Sequence, residues 1–250
     1  MAKTIWITGA TGAIGSALSH ELAGQGCRLI LSGRNEASLL SLAAEINGET
    51  LVVPGDLSAA GTADIILQTA QQLNFIPTGF AHCVGSTLIR PLHLTAAHDC
   101  EAVFAQNYFS AFYALKAFVN LQLNTKTPAS AVLIGSLVAS AGFPNHEAIA
   151  SAKAAVASLA QTAAATYANK AIRVNAVMPG LTRSALSARL TGTPEALARN
   201  AQMNPMGLVG EGKDSAALIA FLLSDAARWI TGQIIGVDGG HAHLHPLPRT

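Results

Sequence analysis

Thr4-Ile-Trp-Ile-Thr8 runs directly into Gly9-Ala-Thr-Gly12-Ala-Ile-Gly15, and a helical pattern begins at Ile14. Strand, glycine turn and helix start in that order are the parts of a phosphate cradle. Glycines let the backbone approach a pyrophosphate, and the N–H groups and positive end of the helix receive its charge. The same triplet also fits an ordinary strand-to-helix turn. Its place in the first strand–turn–helix unit of the chain is what points to a dinucleotide. The end of the second strand is expected to meet the adenosine ribose. An acidic residue there favours NAD through the 2′-hydroxyl, and an arginine accommodates the 2′-phosphate of NADP. The sequence offers Leu31-Ser32-Gly33-Arg34-Asn35. No carboxylate is present, and the planar donor fork of Arg34 suits a phosphate. NADP(H) is the expected cofactor. The other reading of Arg34 is a surface residue that opens the next helix.

Such a cradle needs a sheet to hold it. Short β-branched runs occur at Thr4–Thr8, Arg28–Ser32, Thr50–Val53, Gly79–Val84, Ser130–Ser136, Ile172–Met178 and Ile234–Val237. Most are continuously apolar, as strands covered on both faces must be. Helix-length segments separate them: Ile14–Gln25, Glu36–Ile46, Gly61–Leu73, Thr95–Leu123, Asn145–Ala168 and Lys213–Leu223. Alternating strands and helices imply βαβ crossovers. The expected fold is α/β, a doubly wound parallel seven-stranded sheet that forms a single Rossmann-type domain over residues 1–250. Ligands of such sheets sit at the carboxyl ends of the strands.

The chain has 250 residues, half of them hydrophobic and 12% charged, with 15 Lys+Arg against 14 Asp+Glu. That apolar content argues against disorder. A net charge of +1 gives no basic balance for nucleic acid and no polybasic run for a membrane surface. Cys27, Cys83 and Cys100 are too few for a disulfide framework and fit a reducing compartment. The apolar runs stop well short of the ~18 residues of a spanning helix. The first residues lack the build of a secretory signal. A cytoplasmic location is expected.

Other segments extend the pattern. Asp56-Leu57 follows the third strand, and His82-Cys-Val-Gly85 closes the fourth. Gln106-Asn107-Tyr-Phe lies within a helix, and Val132-Leu-Ile-Gly-Ser136 closes the fifth strand. Ala150-Ser-Ala-Lys153-Ala-Ala-Val lies in the alanine-rich helix. Ile172-Arg-Val-Asn-Ala-Val-Met-Pro179-Gly180 and Ile230-Thr-Gly-Gln-Ile-Ile-Gly-Val-Asp-Gly-Gly240 close the order. From residue 3 to about residue 240 the chain resembles the short-chain dehydrogenase/reductase family, of the branch that includes the β-ketoacyl-carrier-protein reductases. Thr8–Gly15 resembles the family's TGxxxGxG turn, with Ala13 where glycine is usual. His82-Cys-Val-Gly85 stands where the family has Asn-Asn-Ala-Gly. The resemblance places Gly9, Thr11, Gly12, Ile14, Gly15, Arg34, Asp56, Leu57, Gly85, Lys153, Pro179, Gly180 and Thr182 against the cofactor. It makes Ser136, Lys153 and Asn107 the catalytic serine, lysine and asparagine.

In the family a tyrosine four residues before the lysine gives the proton, the serine binds the carbonyl oxygen, and the asparagine supports a relay water. Counting back four from Lys153, or on thirteen from Ser136, lands on Ile149. Isoleucine has no proton to give. Tyr108, Tyr113 and Tyr167 do not have the spacing, and Tyr108 is expected to face the core. Three readings stand. In the first, His146 replaces the acid, in one helical stripe with Ile149, Ala150 and Lys153, if Asn145 caps the helix; a loop histidine at the cleft mouth is the plainer account. Glu147 and His82 are weaker candidates. Alternatively Ser136 or water supplies the proton. Lastly, the chain is a silent NADP(H)-binding subunit of a hetero-oligomer.

The resemblance implies a mobile lid at about residues 181–210. Within it Arg183, Arg189 and Arg199 either meet an anionic carrier or are solvated surface residues. Leu208 stands where the ketoreductases often carry arginine. The implied substrate is a small-molecule carbonyl compound, a 3-oxoacyl group or related ketone, free or carrier-bound. The resemblance implies that the apolar helix Asn145–Ala168 and its predecessor Thr95–Leu123 pack against other copies, in a homo- or hetero-oligomer, a dimer or a tetramer. The alternating imidazoles of His241-Ala-His-Leu-His245 lack a carboxylate or cysteine to complete a metal site and read as a terminal segment. Cys83 and Cys100 read as small apolar residues.

Overall fold

Every residue of Thr4–Thr8 is buried. Successive side chains of a strand point to opposite faces, so this run of apolar residues must be covered on both sides. The computed structural model, which describes residues 2–244, meets that demand with layers of helices over the two faces of one sheet. In chain order the elements are β1 (Thr4–Thr8), α1 (Ala13–Gly24), β2 (Arg28–Ser32), α2 (Glu36–Glu45), β3 (Thr50–Val52), α3 (Thr62–Gln72) and β4 (Gly79–His82). Then come α4 (Ala97–Phe104), α5 (Ser110–Thr125), β5 (Ala129–Ile134), α6 (Glu147–Tyr167) and β6 (Ile172–Pro179). The last are α7 (Ala188–Thr191), α8 (Pro194–Gln202), α9 (Gly212–Leu223) and β7 (Ile234–Val237).

The sheet has seven strands in the order β3-β2-β1-β4-β5-β6-β7, and each neighbouring pair is parallel. Strand order reverses between β1 and β4, which opens the ligand crevice of a doubly wound sheet at their carboxyl ends. Trp6, Ile30, Phe80 and Leu133 face one side and meet Phe118 of α5 and Val156 of α6. Ile5, Ile7, Leu29 and Leu31 face the other and meet Leu18 of α1 and Ile219 of α9. Trp6 and Phe80 stack with ring centroids 4.7 Å apart, and Phe118 lies 5.3 Å from Phe80. The indole N–H of Trp6 is satisfied by the Ser32 hydroxyl at 3.0 Å, so the ring is buried without an orphaned donor.

Three local features depart from the sequence reading. The helix expected over Thr95–Leu123 is broken into α4 and α5 by a π-turn, Ala105–Phe109. A π-turn adds a residue without interrupting the apolar pattern, so periodicity does not register it. The strands expected at Gly79–Val84 and Ser130–Ser136 stop at His82 and Ile134, where the chain leaves the sheet for the crevice. Asn145 does not cap α6. It adopts φ +65°, its carbonyl accepts the Arg90 N–H at 2.8 Å, and His146 takes the cap position without a side-chain cap bond. Among the described residues no helix is long and apolar enough to cross a membrane.

Phe80 is fully buried at the middle of the aromatic stack. Phe80→Ala is expected to destabilise the protein by roughly 3–5 kcal/mol, seen in urea denaturation as a lower midpoint with an unchanged slope.

Candidate active site

The bend after β1 is built by Gly9, which adopts φ +64°. A Cβ there would come within 2.7 Å of the Cys83 carbonyl carbon and oxygen, so only glycine lets the bend pass so close to the end of β4. The Gly12 N–H donates to the Gly9 carbonyl at 3.0 Å and closes the turn. No side chain caps α1 at Gly12, and its first turn has no acidic residue. The leading N–H groups are therefore free of side-chain competitors and carry the helix's partial positive charge. Thr11 and Gly12 are exposed there, with Ile14 half-buried and Gly15 buried behind them. A diphosphate fits this cradle.

Along the same edge Arg34 follows β2, exposed. The Asp56 carboxyl accepts the Ser58 hydroxyl and N–H at 2.7 and 3.0 Å. Those bonds, with a smaller contribution from the Arg34 charge, hold its pKa below the usual carboxylate value. Leu57 is buried beside it. Pro179 is buried at the end of β6, and the Gly180 N–H donates to the Val237 carbonyl at 2.9 Å. Thr182 donates to the Gly180 carbonyl at 3.1 Å and bridges to Gly210. Between Thr182 and Gly210 in the chain come the short helices α7 and α8, which pack on each other. Arg183 pairs with Glu211 at 3.3 Å, while Arg189, Arg199 and Leu208 are exposed.

Gly85 is the point of convergence. A Cβ there would stand 3.1 Å from Asn107 Oδ1 and 3.2 Å from Lys153 Nζ, so the missing side chain leaves both polar groups beside one small space. Lys153 is buried on α6 and donates to the Ile134 carbonyl at 2.9 Å. Burial pushes its pKa down to about 8, against a weaker opposing effect of Cys83. The Cys83 thiol is pushed up to about 12 by burial, opposed by Lys153. Cys83 packs against the hydrophobic core as a neutral thiol. Asn107 sits in the π-turn. Its amide donates to the Val103 carbonyl at 2.8 Å and to the Ser86 hydroxyl at 2.9 Å, and its Oδ1 accepts the Ser86 N–H at 3.2 Å. Ser86 was not singled out from sequence; a hydroxyl directly after the glycine that closes the fourth strand was the available signal. Ser136 leaves β5 half-buried, its Oγ 3.4 Å from the Val138 N–H, so its own proton can be given to an incoming acceptor.

Ile149, one helical turn before Lys153, is 3% exposed. It packs with Val103 and Ala152, against Leu88, Phe104 and Val138. His146 is half-buried at the head of α6. Its Nδ1 lies 2.7 Å from the Pro144 carbonyl and its ring meets Phe143 edge-on. In the cap conformation it is not part of the helical stripe that a cap at Asn145 would have given. His82 is corrected as an acid candidate. It is buried with both ring nitrogens bonded, to Thr8 and Ser110, and burial together with the Lys153 charge lowers its pKa to about 3. It is neutral at physiological pH. Glu147 is exposed in the first turn of α6. Tyr108 packs against the core, Tyr113 stacks on Phe109, and Tyr167 ends α6, about 21 Å beyond Lys153 at 1.5 Å per residue. His241 meets Phe143 at 5.3 Å. His245 lies outside the described residues, among which no cluster of three or more potential ligands could hold a metal.

Residues 9–242 match the family described as enoyl-(acyl carrier protein) reductase. An uncharacterized oxidoreductase of Mycobacterium tuberculosis is 32% identical over 248 residues, which cover 96% of this chain and 91% of that protein. A protein of Xanthobacter autotrophicus named inactive 2-(S)-hydroxypropyl-CoM dehydrogenase 2 is 32% identical over 219 residues, covering 86% of this chain and 95% of that one. Among solved structures, a short-chain type dehydrogenase/reductase from Mycobacterium ulcerans is similar with a TM-score of 0.90 at 29% identity, covering 96% and 90% of the two chains.

The buried ammonium predicts a pH signature. Unfolded, Lys153 keeps its proton up to about 10.5; folded, only up to about 8. Between those values the unfolded state binds more protons, so this group's contribution to stability rises with pH, and it is lost again as pH falls through 8. Cys83 acts in the opposite sense and cancels when variants are compared. Relative to Lys153→Met, the wild type is expected to gain roughly 3 kcal/mol from pH 8 to pH 10.5, measured by chemical denaturation.

Proposed function

We propose a reaction for this chain, which belongs to the short-chain dehydrogenase/reductase family of NAD(P)(H)-binding oxidoreductases. The reaction is NADP(H)-linked interconversion of a carbonyl and an alcohol, at a site that works without a phenol. The substrate class is a 3-oxoacyl compound or a related ketone, free or carried on a thioester. Cytoplasmic location and assembly into a dimer or tetramer are part of the same proposal.

The observation that carries it is the pair of a buried lysine and a buried asparagine beside Gly85, with Ile149 filling the place one turn before the lysine and the Ser136 hydroxyl free to donate at the end of β5. When bound, NADPH supplies the hydride. The chain's residues do the remainder. The glycine turn holds the diphosphate, and Arg34, which makes no ion pair among the described residues, receives the 2′-phosphate. Lys153, whose Nζ donates to the Ile134 carbonyl, would hold the ribose hydroxyls and raise the local positive potential. Ser136 donates its hydrogen bond to the carbonyl oxygen and stabilises the charge that develops there. The proton then comes from the Ser136 hydroxyl or from water. Position and the oxyanion donor persist without the acid, whose loss slows such reactions about 10²–10⁴-fold. His146 has its Nδ1 against the Pro144 carbonyl and its ring against Phe143, and this reading does not assign it the proton.

A second reading has two supports. Ile149 is buried in a small apolar cluster, and a relative at 32% identity bears the name of an inactive dehydrogenase. In that reading the chain binds NADP(H) as a silent subunit beside an active partner.

Two measurements decide. Arg34→Ala is expected to weaken NADPH binding tenfold or more, as loss of a charged hydrogen bond does, while NADH binding stays unchanged; equal loss for both cofactors would remove Arg34 from the phosphate. NADPH oxidation with 3-oxoacyl thioesters is expected to be slow in the wild type, unchanged in His146→Ala and raised about 10²–10⁴-fold in Ile149→Tyr. NADPH binding with no turnover in the wild type would favour the silent subunit, and loss of turnover in His146→Ala would restore the histidine as the acid.

A further inference from the structure

His82 has no part in the reaction proposed above, yet it is 1% exposed and fully bonded. It ends β4 and stands opposite Thr8 at the end of β1 in the register of the parallel pair. Its Nδ1 is 2.9 Å from Thr8 Oγ1, and its Nε2 is 3.0 Å from Ser110 Oγ at the start of α5. The partners fix the direction of these bonds. The Ser110 hydroxyl donates to the Gln106 carbonyl at 2.7 Å, so it accepts from His82 Nε2–H. That leaves Nδ1 as the acceptor, which takes the Thr8 proton in preference to the more distant Ala81 carbonyl at 3.4 Å. Thr8 immediately precedes Gly9, the bend of the dinucleotide turn. Gln106 lies inside the π-turn and immediately precedes Asn107. One imidazole thus ties the cofactor turn to the segment that sets Asn107.

We propose that His82 is a positioning residue that couples the dinucleotide turn to the π-turn through the chain Thr8–His82–Ser110–Gln106, so that cofactor binding tightens the setting of Asn107. The proposal rests on the reading that Gly9–Gly15 hold the cofactor and that Asn107 belongs to the site. Thr8, His82 and Ser110 are buried and Gln106 is half-buried, and His82 and Ser110 are each bonded on both sides. Loss of one link leaves a polar group in the core without a partner, and such networks act as units rather than as sums of pairs. The imidazole presents an acceptor on one side and a donor on the other at the reach of both hydroxyls. Coupling of this kind is reciprocal, so what the cofactor does to the π-turn the π-turn must do to the cofactor.

The test is a double-mutant cycle of Thr8→Val and Ser110→Ala, read as the dissociation constant of NADPH by nicotinamide fluorescence. Hydrogen exchange at residues 105–110 is read with and without NADPH. Ser110→Ala is expected to weaken NADPH binding although its hydroxyl lies on α5. The double variant is expected to fall short of the product of the two single losses by about threefold or more. NADPH is expected to slow exchange at residues 105–110 in the wild type and to have no such effect in His82→Phe. Additive losses, an unchanged affinity in Ser110→Ala, or equal protection in His82→Phe would overturn the coupling. Should His82→Phe fail to fold, the cycle decides alone. If the wild type binds no NADPH, the cofactor reading falls. The link is then judged on cofactor-free protein: faster exchange at residues 105–110 in Thr8→Val supports it, and unchanged exchange overturns it.

Discussion

The burial of a single ammonium group organises the crevice. Lys153 is held on α6 with its Nζ against the Ile134 carbonyl, in a place where water no longer stabilises its charge. A cation so placed is most favourable when an anionic or polar ligand comes to it. Much of what surrounds it can be understood as accommodation. β5 stops at Ile134, leaving a carbonyl to accept. Gly85 gives up a side chain so that Nζ and Asn107 Oδ1 share one space. Cys83 and His82, the titratable neighbours on β4 and its end, are both held neutral, so neither adds a competing charge.

Ile149 belongs to the same constraint. An apolar side chain one turn from the lysine adds no hydrogen bond and no charge, and its neighbours Val103, Leu88, Phe104 and Val138 close around it. The packing is good, which is why the chain tolerates the residue structurally. What it changes is chemical: the donors left near the crevice are a serine hydroxyl, an ammonium and solvent.

Much of this was readable from residues alone, for reasons that differ by element. The strands were legible because burial on both faces forces continuous apolar runs. The turn at Gly9 was legible because a left-handed bend against a neighbouring backbone admits only glycine. Lys153, Ser136 and Asn107 were named by the family resemblance. The convergence of Lys153 and Asn107 on Gly85 was not legible, because no local pattern encodes a distance between side chains from the π-turn and α6. The π-turn was hidden by its own composition, since Ala105–Phe109 continues the apolar rhythm of its neighbours. The head of α6 was misjudged because asparagine serves both as a helix cap and as a left-handed residue, and here the bond to Arg90 N–H selects the second. His82 looked like a possible acid because sequence gives a residue's type but not its solvation.

The π-turn also bears on which length changes the chain can absorb. A helix with one surplus residue stores an easy deletion: removing any position within Ala105–Phe109 would let α4 and α5 join into one regular helix with a complete backbone ladder. The shortened helix would be sound, and every residue on one side of the cut would be turned by about 100° relative to the other. Asn107 could not then face Ser86 while Phe118 kept its seat on Phe80. The irregularity is thus a phase adjuster between an aromatic core and a polar crevice, and a gap at this point in a related chain would mark the loss of one of the two.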